Sequence, residues 1–321
     1  MISFRGMTTG TKAIARKRRG KPINGWIIID KPQGLTSSAV VGRVRRATGA
    51  AKVGHAGTLD PMATGVLPMA LGEATKTVTY LMDSKKAYRF RVRWGEARDT
   101  DDAEGEVTAT SDVRPAEQQI LAVLDGFRGE IDQVPPAFSA IKVEGKRAYE
   151  LARAKKSPVL KPRTVHIHQL TLAGMPDRDH AEFDVVSGKG AYMRSLARDL
   201  GRALGTVGHI SRLRRVAVGP FHEDQAISLD KLESLGHSAP PSGVLLPVET
   251  VLDDIPALAL TETEARRLRH GQPIPVLPVA TRSPLKNINQ GDVVRAMAEG
   301  RLVALAKIKG GEIRPFRVIN L

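Results

Sequence analysis

The sequence predicts an α+β protein of two domains, a larger one followed by a small β-rich one. The chain has 321 residues, which is longer than a domain with a single hydrophobic core usually is. Hydrophobic residues make up 41% of it, enough for a folded interior. Residues 88–94 alternate between apolar side chains and arginines, which is a strand period, whereas residues 193–204 repeat apolar side chains at helical spacing. Both types of element therefore occur in the larger domain.

A strand and a helix are the first elements that the pattern predicts. Residues 25–30 form a short apolar run rich in isoleucine, which favours a buried strand. Thr36 or Ser37 can cap the helix that follows, and Gly49 suits its end. The helix at 193–204 places Arg194 on a polar face at four-residue spacing from two further arginines, which by itself fits a solvated face equally well.

The last 65 or so residues predict the small domain. Residues 236–243 contain consecutive prolines and read as a linker, and Thr261 with Glu264 forms a capping box before a short helix that Gly271 can end. Strand-like runs follow at 292–297, 301–308 and 315–319. The segment 277–290 is long and polar between them.

The charge balance points to a polyanionic partner. The chain carries 49 Lys and Arg against 34 Asp and Glu, a formal charge of +15. Such a surface attracts nucleic acid, and we find no amphipathic or long apolar segment for a membrane. Without cysteine, disulfides and thiolate chemistry are excluded, and without a secretory signal we expect a cytoplasmic protein.

Two basic segments stand outside the regular pattern. Residues 1–22 contain seven Lys and Arg and no acid, so they predict a disordered arm, either an electrostatic grip on RNA or a solvated extension. A proline pair and many cations at about 127–165 predict a long, mobile excursion from the sheet.

Motifs for cofactors and metals are absent from the pattern. The glycine spacing near 72–76 and 188–190 fits neither a phosphate loop nor a dinucleotide fingerprint. The acidic segment 96–106 departs from a calcium loop, so we expect a solvated loop there. His166 and His168 share one side of a strand without a third ligand, so we expect no metal site and no cofactor.

Residues 54–68 form a loop of unusual composition, with three glycines and two prolines around one acid, Asp60, and one histidine. Glycines allow tight turns and close approach to a ligand, and Pro61 keeps Asp60 out of the helical region. An isolated Asp-Pro is usually only a turn in which the carboxylate bonds nearby amides. The composition of the loop as a whole favours a shaped site instead.

This loop resembles the signature of the TruB family, the bacterial tRNA pseudouridine-55 synthases. The resemblance runs from about Asn24 to the C-terminus. It includes 30–36, 72–76, 86–88, 127–129, 133–142, 189–194 and 213–216.

The resemblance implies a fold and a reaction. The fold is a mixed, mainly antiparallel sheet flanked by helices at 23–250, with an RNA-gripping insertion at about 127–165, followed by a PUA-like RNA-binding β-barrel at 256–321. The reaction is isomerisation of uridine to pseudouridine at position 55 in the T-loop of tRNA, after base flipping. Asp60 would be the nucleophile, Arg194 its cationic partner, and Tyr88 the residue that stacks on the flipped base and helps to remove its C5 proton.

The same resemblance implies supporting residues and partners. His55 would support the flipped or neighbouring bases, Tyr192 and Leu213 would line the pocket, and Lys31 and Lys76 would hold phosphates or brace the loop. The expected partner is the tRNA T-arm, and we expect a monomer without an obligatory protein partner. Two rivals are a non-catalytic RNA-binding protein and an enzyme that acts on ribosomal or guide-directed RNA.

Overall fold

The computed structural model describes residues 20–143, 145–154, 156, 160–235, 243–283 and 289–321. Most of the basic arm expected at 1–22 and most of the linker expected at 236–243 lie outside these residues. At Lys21 the backbone N–H donates to the Gly49 carbonyl at 2.8 Å, so the described chain begins beside the end of the first helix.

Strands dominate the larger part of the chain. They are β1 (Gly25–Lys31), β2 (Val53–His55), β3 (Thr64–Leu71), β4 (Lys86–Trp94), β5 (Glu96–Arg98), β6 (Val107–Thr110), β7 (Gly129–Gln133), β8 (Lys142–Val143), β9 (Lys146–Arg147), β10 (Arg163–Asp177), β11 (His180–Ser187), β12 (Gly208–Val218), β13 (Phe221–His222) and β14 (Ile227–Ser228). Those of the C-terminal part are β15 (Ala257–Ala259), β16 (Ile274–Pro275), β17 (Val293–Ala298), β18 (Arg301–Lys309) and β19 (Glu312–Val318).

Helices are short and lie between the strands. They are α1 (Ser37–Thr48), α2 (Val78–Asp83), α3 (Glu117–Val123), α4 (Ala148–Arg153), α5 (Met193–Ala203), α6 (Leu229–Ser234), α7 (Glu262–Arg269) and α8 (Val276–Ala280). Single turns of 3₁₀ helix occur at Gly72–Lys76, Leu124–Phe127, Glu223–Gln225 and Val248–Leu252. In the described residues no helix is long and apolar enough to cross a membrane.

One large sheet organises the first domain. Its strand order is β14-β1-β3-β12-β4-β11-β10-β7, with β2 added beside β3 and β13 beside β12. Only the β1–β14 and β3–β12 pairs of this sheet are parallel among the strands described. The predicted mixed, mainly antiparallel sheet is therefore confirmed.

Helices α1 and α5 close one face of this sheet because their apolar stripes match it. Thr36 caps α1 by accepting from the Ala39 N–H at 3.1 Å, and Gly49 ends it in the left-handed region, with φ 68°. Leu196 and Leu200 of α5 are fully buried in the same cluster as Phe90 of β4. The strand and helix predicted at 88–94 and 193–204 are both confirmed.

The C-terminal part is a separate five-stranded sheet, ordered β15-β17-β18-β19-β16. The predicted capping box is present at α7, where Thr261 accepts from the Glu264 N–H and Glu264 accepts from the Thr261 N–H. The polar segment 277–290 contains most of α8, and its residues 284–288 lie outside the described chain. A small β-rich domain is thus confirmed.

An apolar seam joins the two sheets. Trp26 and Phe221 from the large sheet pack in one buried cluster with residues of the C-terminal sheet, namely Leu302, Leu305 and Ile319. The described excursion leaves the large sheet after Gln133 and returns at Arg163, carrying β8, β9 and α4.

Candidate active site

The loop that carries Asp60 is held on both sides of that residue. Ser37, buried at the start of α1, donates to the Leu59 carbonyl at 3.0 Å and accepts from the Leu59 N–H at 2.8 Å. On the other side the Pro61 carbonyl accepts from the Gly34 N–H at 2.8 Å and from Lys31 Nζ at 3.1 Å. The carboxylate therefore projects from a backbone that is fixed at the residue before it and the residue after it.

Arg194 is the cation that faces this carboxylate. Its Nε lies 3.0 Å from Asp60 Oδ2, and only 5% of the arginine side chain is exposed. The N–H does not point along a hydrogen-bond direction, so the contact is an ion pair without a well-aligned hydrogen bond. The other guanidinium nitrogens donate to the carbonyls of Thr100 (3.0 Å) and Phe138 (2.9 Å). The solvated face that spacing alone allowed for Arg194 is wrong, because the helix turns this residue into the protein.

Asp102 is a second carboxylate at the same arginine, and the sequence pattern did not single it out. It is buried, and its Oδ2 lies 3.6 Å from Arg194 Nη1. Asp101, beside it in the left-handed region with φ 60°, pairs with Arg198 at 2.8 Å. The expectation that 96–106 is a solvated loop is wrong here, because two of its acids fold against α5.

Burial and charge act against each other on Asp60. Burial raises the pKa of this carboxyl, although 35% of the side chain remains exposed, and the negative charge of Asp102 raises it further. The positive charges of Arg194 and Lys31 lower the same pKa. Glu104 stands close enough to sense the same charges, since burial, Asp102 and Asp60 raise its pKa. Arg194 lowers the pKa of both Asp60 and Glu104, so the ionisation of these two acids depends on it.

Lys31 braces the loop from below. It is fully buried at the end of β1, and its Nζ donates to the carbonyls of Pro32 (2.9 Å) and Pro61 (3.1 Å). Burial lowers the pKa of Lys31 to about 8, against the opposing attraction of Asp60 and Glu104. Of the two roles that the resemblance left open, this placement matches bracing, because a buried ammonium cannot reach a phosphate.

Tyr192 directly precedes α5 and lies beside the ion pair. Buried Gln133 holds its backbone with two bonds, accepting from the Tyr192 N–H at 3.0 Å and donating to its carbonyl at 3.3 Å. Burial raises the pKa of the Tyr192 phenol, Arg194 lowers it, and Asp60 raises it. The structure therefore brings Tyr192 together with Asp60 and Arg194.

Tyr88 and Leu213 lie on neighbouring strands, β4 and β12, on the face that α5 covers. Leu213 of β12 stands opposite Phe90 of β4. Arg215, two residues after Leu213, stands opposite Tyr88, two residues before Phe90. Leu213 is buried and Tyr88 is half-buried against the same cluster. His55 belongs to β2, and both burial and Arg215 lower the pKa of its imidazole, which favours the neutral form.

Lys76 lies elsewhere, at the seam between the two sheets. Its Nζ contacts Glu73 Oε2 at 2.6 Å and donates to the Val318 carbonyl of β19 at 2.7 Å. The same Glu73 accepts from the Asn320 N–H at 2.8 Å. Among the described residues its hydrogen bonds and ion pair are thus with this seam and not with the loop that carries Asp60.

Metal-binding geometry is not found in the part of the chain described here. No cluster of three or more His, Asp or Glu is placed to hold an ion. The rings of His166 and His168 are 4.3 Å apart, as the shared strand face predicted.

The comparisons with known proteins agree with this geometry. A model of the TruB family pseudouridylate synthase N-terminal domain matches residues 45–193, a model of the tRNA pseudouridylate synthase B C-terminal domain matches 194–253, and a model of the TruB C-terminal domain of pseudouridine synthase II matches 256–319. The chain is 60% identical to tRNA pseudouridine synthase B of Rhodospirillum rubrum over 308 residues, covering 96% of this chain and 100% of the relative.

The chain belongs to the TruB family of tRNA pseudouridine synthases. A second relative, tRNA pseudouridine synthase B of Caulobacter sp. strain K31, is 54% identical over 309 residues, 96% of this chain and 100% of its own. As a TruB family member the chain isomerises uridine in tRNA.

Solved structures confirm the fold of this TruB family member. The archaeal box H/ACA sRNP Nop10-Cbf5 complex superposes with a TM-score of 0.69 at 26% identity, covering 96% of this chain and 93% of that one. An H/ACA RNP bound to a substrate RNA containing 2′-deoxyuridine gives the same TM-score at 24% identity, covering 97% and 93%. The pseudouridine synthase fold and the PUA-like C-terminal domain of the TruB chain are therefore both supported.

Proposed function

We propose that the chain isomerises the uridine at position 55 in the T-loop of tRNA, with Asp60 as the nucleophile on the flipped-out nucleotide. One observation carries the proposal: a carboxylate fixed by its loop at both neighbouring residues lies 3.0 Å from a buried guanidinium and still exposes 35% of its side chain. A nucleophilic carboxylate needs this combination of an ionised state, a fixed direction and access to the substrate.

In this proposal Arg194 keeps Asp60 ionised. Desolvation favours the neutral acid, and a cation within about 4 to 6 Å opposes it. The Nε–H of Arg194 is not aligned on Asp60 Oδ2. The guanidinium therefore orients the carboxylate by its charge, and the oxygen lone pairs stay available for the substrate. One oxygen can then bond to the nucleotide at the sugar C1′, where the C1′–N1 bond breaks and its electron pair stays on N1, or at C6 of the uracil ring, where the C5–C6 π bond breaks and its electrons move to the O4 carbonyl. Asp102 also pairs with Arg194, through Nη1, and its negative charge raises the pKa of Asp60, against the effect of Arg194.

The remaining site residues shape the pocket for a flipped base. Tyr88 stacks on the uracil and its phenol oxygen takes the C5 proton, while Leu213 and Tyr192 form apolar walls. Neutral His55 supports a base beside the loop. We assign Lys31 to bracing of the Asp60 loop and Lys76 to the joint with the C-terminal sheet.

RNA binding is assigned to both domains, the catalytic domain at 23–250 and the PUA-like domain at 256–321. Flipping a nucleotide costs a few kcal/mol, which contacts to the RNA backbone must offset. The excursion carries a concavity of about 220 Å³, lined by apolar residues together with Lys142, Lys161 and Arg163. This basic, partly apolar surface suits the T-arm, and the whole chain would work as a monomer in the cytoplasm.

The mechanism is tested by Asp60→Asn with Asp184→Asn as the matched control. Asp184 is also an ion-paired aspartate, but it pairs with Arg89 on the opposite face of the sheet. We expect Asp60→Asn to bind a T-arm hairpin with wild-type affinity and to release no tritium from 5-tritiated uridine, whereas Asp184→Asn keeps both properties. Full tritium release by Asp60→Asn would refute the mechanism.

The substrate is tested by supplying the protein alone with a bare T-arm hairpin and by mapping pseudouridine in RNA from a deletion strain. We expect turnover of the hairpin without any guide RNA and loss of pseudouridine at tRNA position 55 in the strain. Continued modification of position 55, with loss in ribosomal RNA instead, would overturn the substrate assignment and leave the reaction class intact.

A further inference from the structure

Arg215 is a buried cation to which neither the sequence analysis nor the proposed mechanism gives a role. It lies on β12 with 1% of its surface exposed. Its Nε donates to the Val66 carbonyl at 2.8 Å and its Nη2 donates to the Gly57 carbonyl at 3.0 Å. Among the described residues no carboxylate lies within ion-pairing distance of it. A buried charge with only neutral partners is expensive, so its position calls for a role that an apolar side chain could not fill.

The strand register places Arg215 directly opposite Tyr88. The two are Cα partners in the antiparallel β12–β4 pair, on the face of the sheet that points to the active site. The two side chains therefore lie beside each other on this face, and the ionised phenol of Tyr88 raises the pKa of Arg215 against the effect of burial. Arginine has donors and no acceptor, so any hydrogen bond between the two groups runs from the guanidinium to the Tyr88 oxygen.

The same guanidinium reaches the loop that carries Asp60. Gly57 has φ 92°, and a Cβ built on it would meet Arg215 Nη1 at 3.4 Å, so the loop lies directly against the cation. One rigid, planar group therefore lies between the backbone three residues before Asp60 and the strand position that carries Tyr88. A lysine could not bond the Gly57 and Val66 carbonyls in the same way, because its single ammonium lacks the forked geometry.

We propose that Arg215 is a positioning residue for removal of the C5 proton. It fixes the Tyr88 oxygen relative to the Asp60 loop and stabilises negative charge on that oxygen. This inference rests on the proposed role of Tyr88 as the group that takes the proton.

The proton balance of the step is closed. The Tyr88 phenol first gives its proton to water, and Arg215 stabilises the resulting oxyanion. The C5–H bond then breaks, its proton passes to the Tyr88 oxygen, its electron pair forms the C5–C6 double bond, and the C6–N1 π pair moves onto N1. N1 of the uracil takes up one proton from water, so the isomerisation consumes and releases none overall.

The test compares Arg215→Met, Arg215→Lys and Tyr88→Phe with the control Arg89→Met. Arg89 neighbours Tyr88 on β4, but it points to the opposite face and pairs with Asp184. Single-turnover rates are measured on a T-arm hairpin with hydrogen or deuterium at C5 of the target uridine. The affinity for the hairpin and the thermal unfolding of each variant are measured alongside.

We expect Arg215→Met to lower the single-turnover rate by about 100-fold and Arg215→Lys by about tenfold, with RNA affinity within about twofold of wild type. In both variants the deuterium isotope effect should rise above the wild-type value, because proton removal becomes the slowest step. Tyr88→Phe should show the same rise, and Arg89→Met should match wild type in rate and isotope effect.

Three outcomes separate the possibilities. A rate loss in Arg215→Lys with the wild-type isotope effect would overturn the inference, because it would mark a purely structural role. A raised isotope effect in Tyr88→Phe but not in either Arg215 variant would do the same while sparing the proposed function. An unchanged isotope effect in Tyr88→Phe would refute the proposed role of Tyr88 itself. If Arg215→Met does not fold, the Arg215→Lys result decides.

Discussion

Replacing Arg194 with methionine should move the acid limb of the pH–rate profile to higher pH. The guanidinium lies 3.0 Å from Asp60 Oδ2 and lowers the pKa of that carboxyl against the effect of burial. Two unit charges at about 4 Å interact by about 4 kcal/mol at an effective dielectric constant near 20. Because 35% of the Asp60 side chain is exposed, solvent screens part of this, and a shift of about 1 to 3 pH units is expected.

The same substitution should destabilise the protein in a pH-dependent way. Arg194 is buried between Asp60 and Asp102, and removing one partner of a buried ion pair typically costs about 3 to 5 kcal/mol. In the variant the pKa of Asp60 exceeds its unfolded value further, so the folded state binds more protons than the unfolded one. The loss attributable to Asp60 is therefore complete above the folded pKa and recovers as the pH falls through it.

Single-turnover tritium release between about pH 5 and pH 9 measures the acid limb, and urea unfolding at the same pH values measures stability. Arg202→Met is the control, because Arg202 follows Arg194 by eight residues on α5, is 68% exposed and pairs with Asp199. A uniform fall in rate with an unmoved acid limb would refute the proposed electrostatic role of Arg194.

Four further predictions follow. Asp102→Asn should lower the rate by about tenfold and move the Asp60 acid limb to lower pH, opposite to Arg194→Met, since Asp102 raises the pKa of Asp60; a limb that moves upward would contradict this. Lys31 has a pKa of about 8 in the folded state against 10.5 unfolded, so the unfolded state binds more protons between those values and stability should rise with pH in that window. Urea unfolding at pH 8 and at pH 10.5 should show a smaller increase in the free energy of unfolding for Lys31→Met than for wild type. Equal increases in the two proteins would contradict the lowered pKa of Lys31. Lys76→Met should lower stability by about 1 to 3 kcal/mol and expose the C-terminal sheet to limited proteolysis without changing the single-turnover rate. Affinity for the T-arm hairpin should fall linearly on a logarithmic salt scale, and a flat titration would exclude backbone contacts as its main source.

The elements of the fold follow closely from local patterns. Alternation predicted β4, and apolar spacing predicted α5, because each element buries one face and the period of that face is set by backbone geometry. Thr36, Gly49 and the capping box at Thr261 marked helix ends for the same local reason. The mixed, mainly antiparallel character of the large sheet came only from the family resemblance, and its pairing order came only from the structure, since strand partners far apart in sequence leave no local signal.

Some residues of the candidate site could likewise be predicted from local sequence, and others could not. Asp60 stood out because glycines and prolines shape its loop, a property that the chain carries locally. Asp102 did not, because its segment reads as solvated until α5 packs against it. Arg215 carried a faint signal, an arginine two residues after the inward-facing Leu213 on a strand, which places it on the buried face.

The amino-acid sequence by itself determined the basic charge, the exclusion of thiol chemistry, the helix and strand periods and the shaped loop around Asp60, because these depend on composition and on neighbours along the chain. Only the tertiary structure decided which charges meet. Arg194 between Asp60 and Asp102, and Arg215 between Gly57 and Tyr88, each join segments separated by dozens of residues. The energy of such contacts depends on distance and burial in space, and neither quantity can be read from the order of residues.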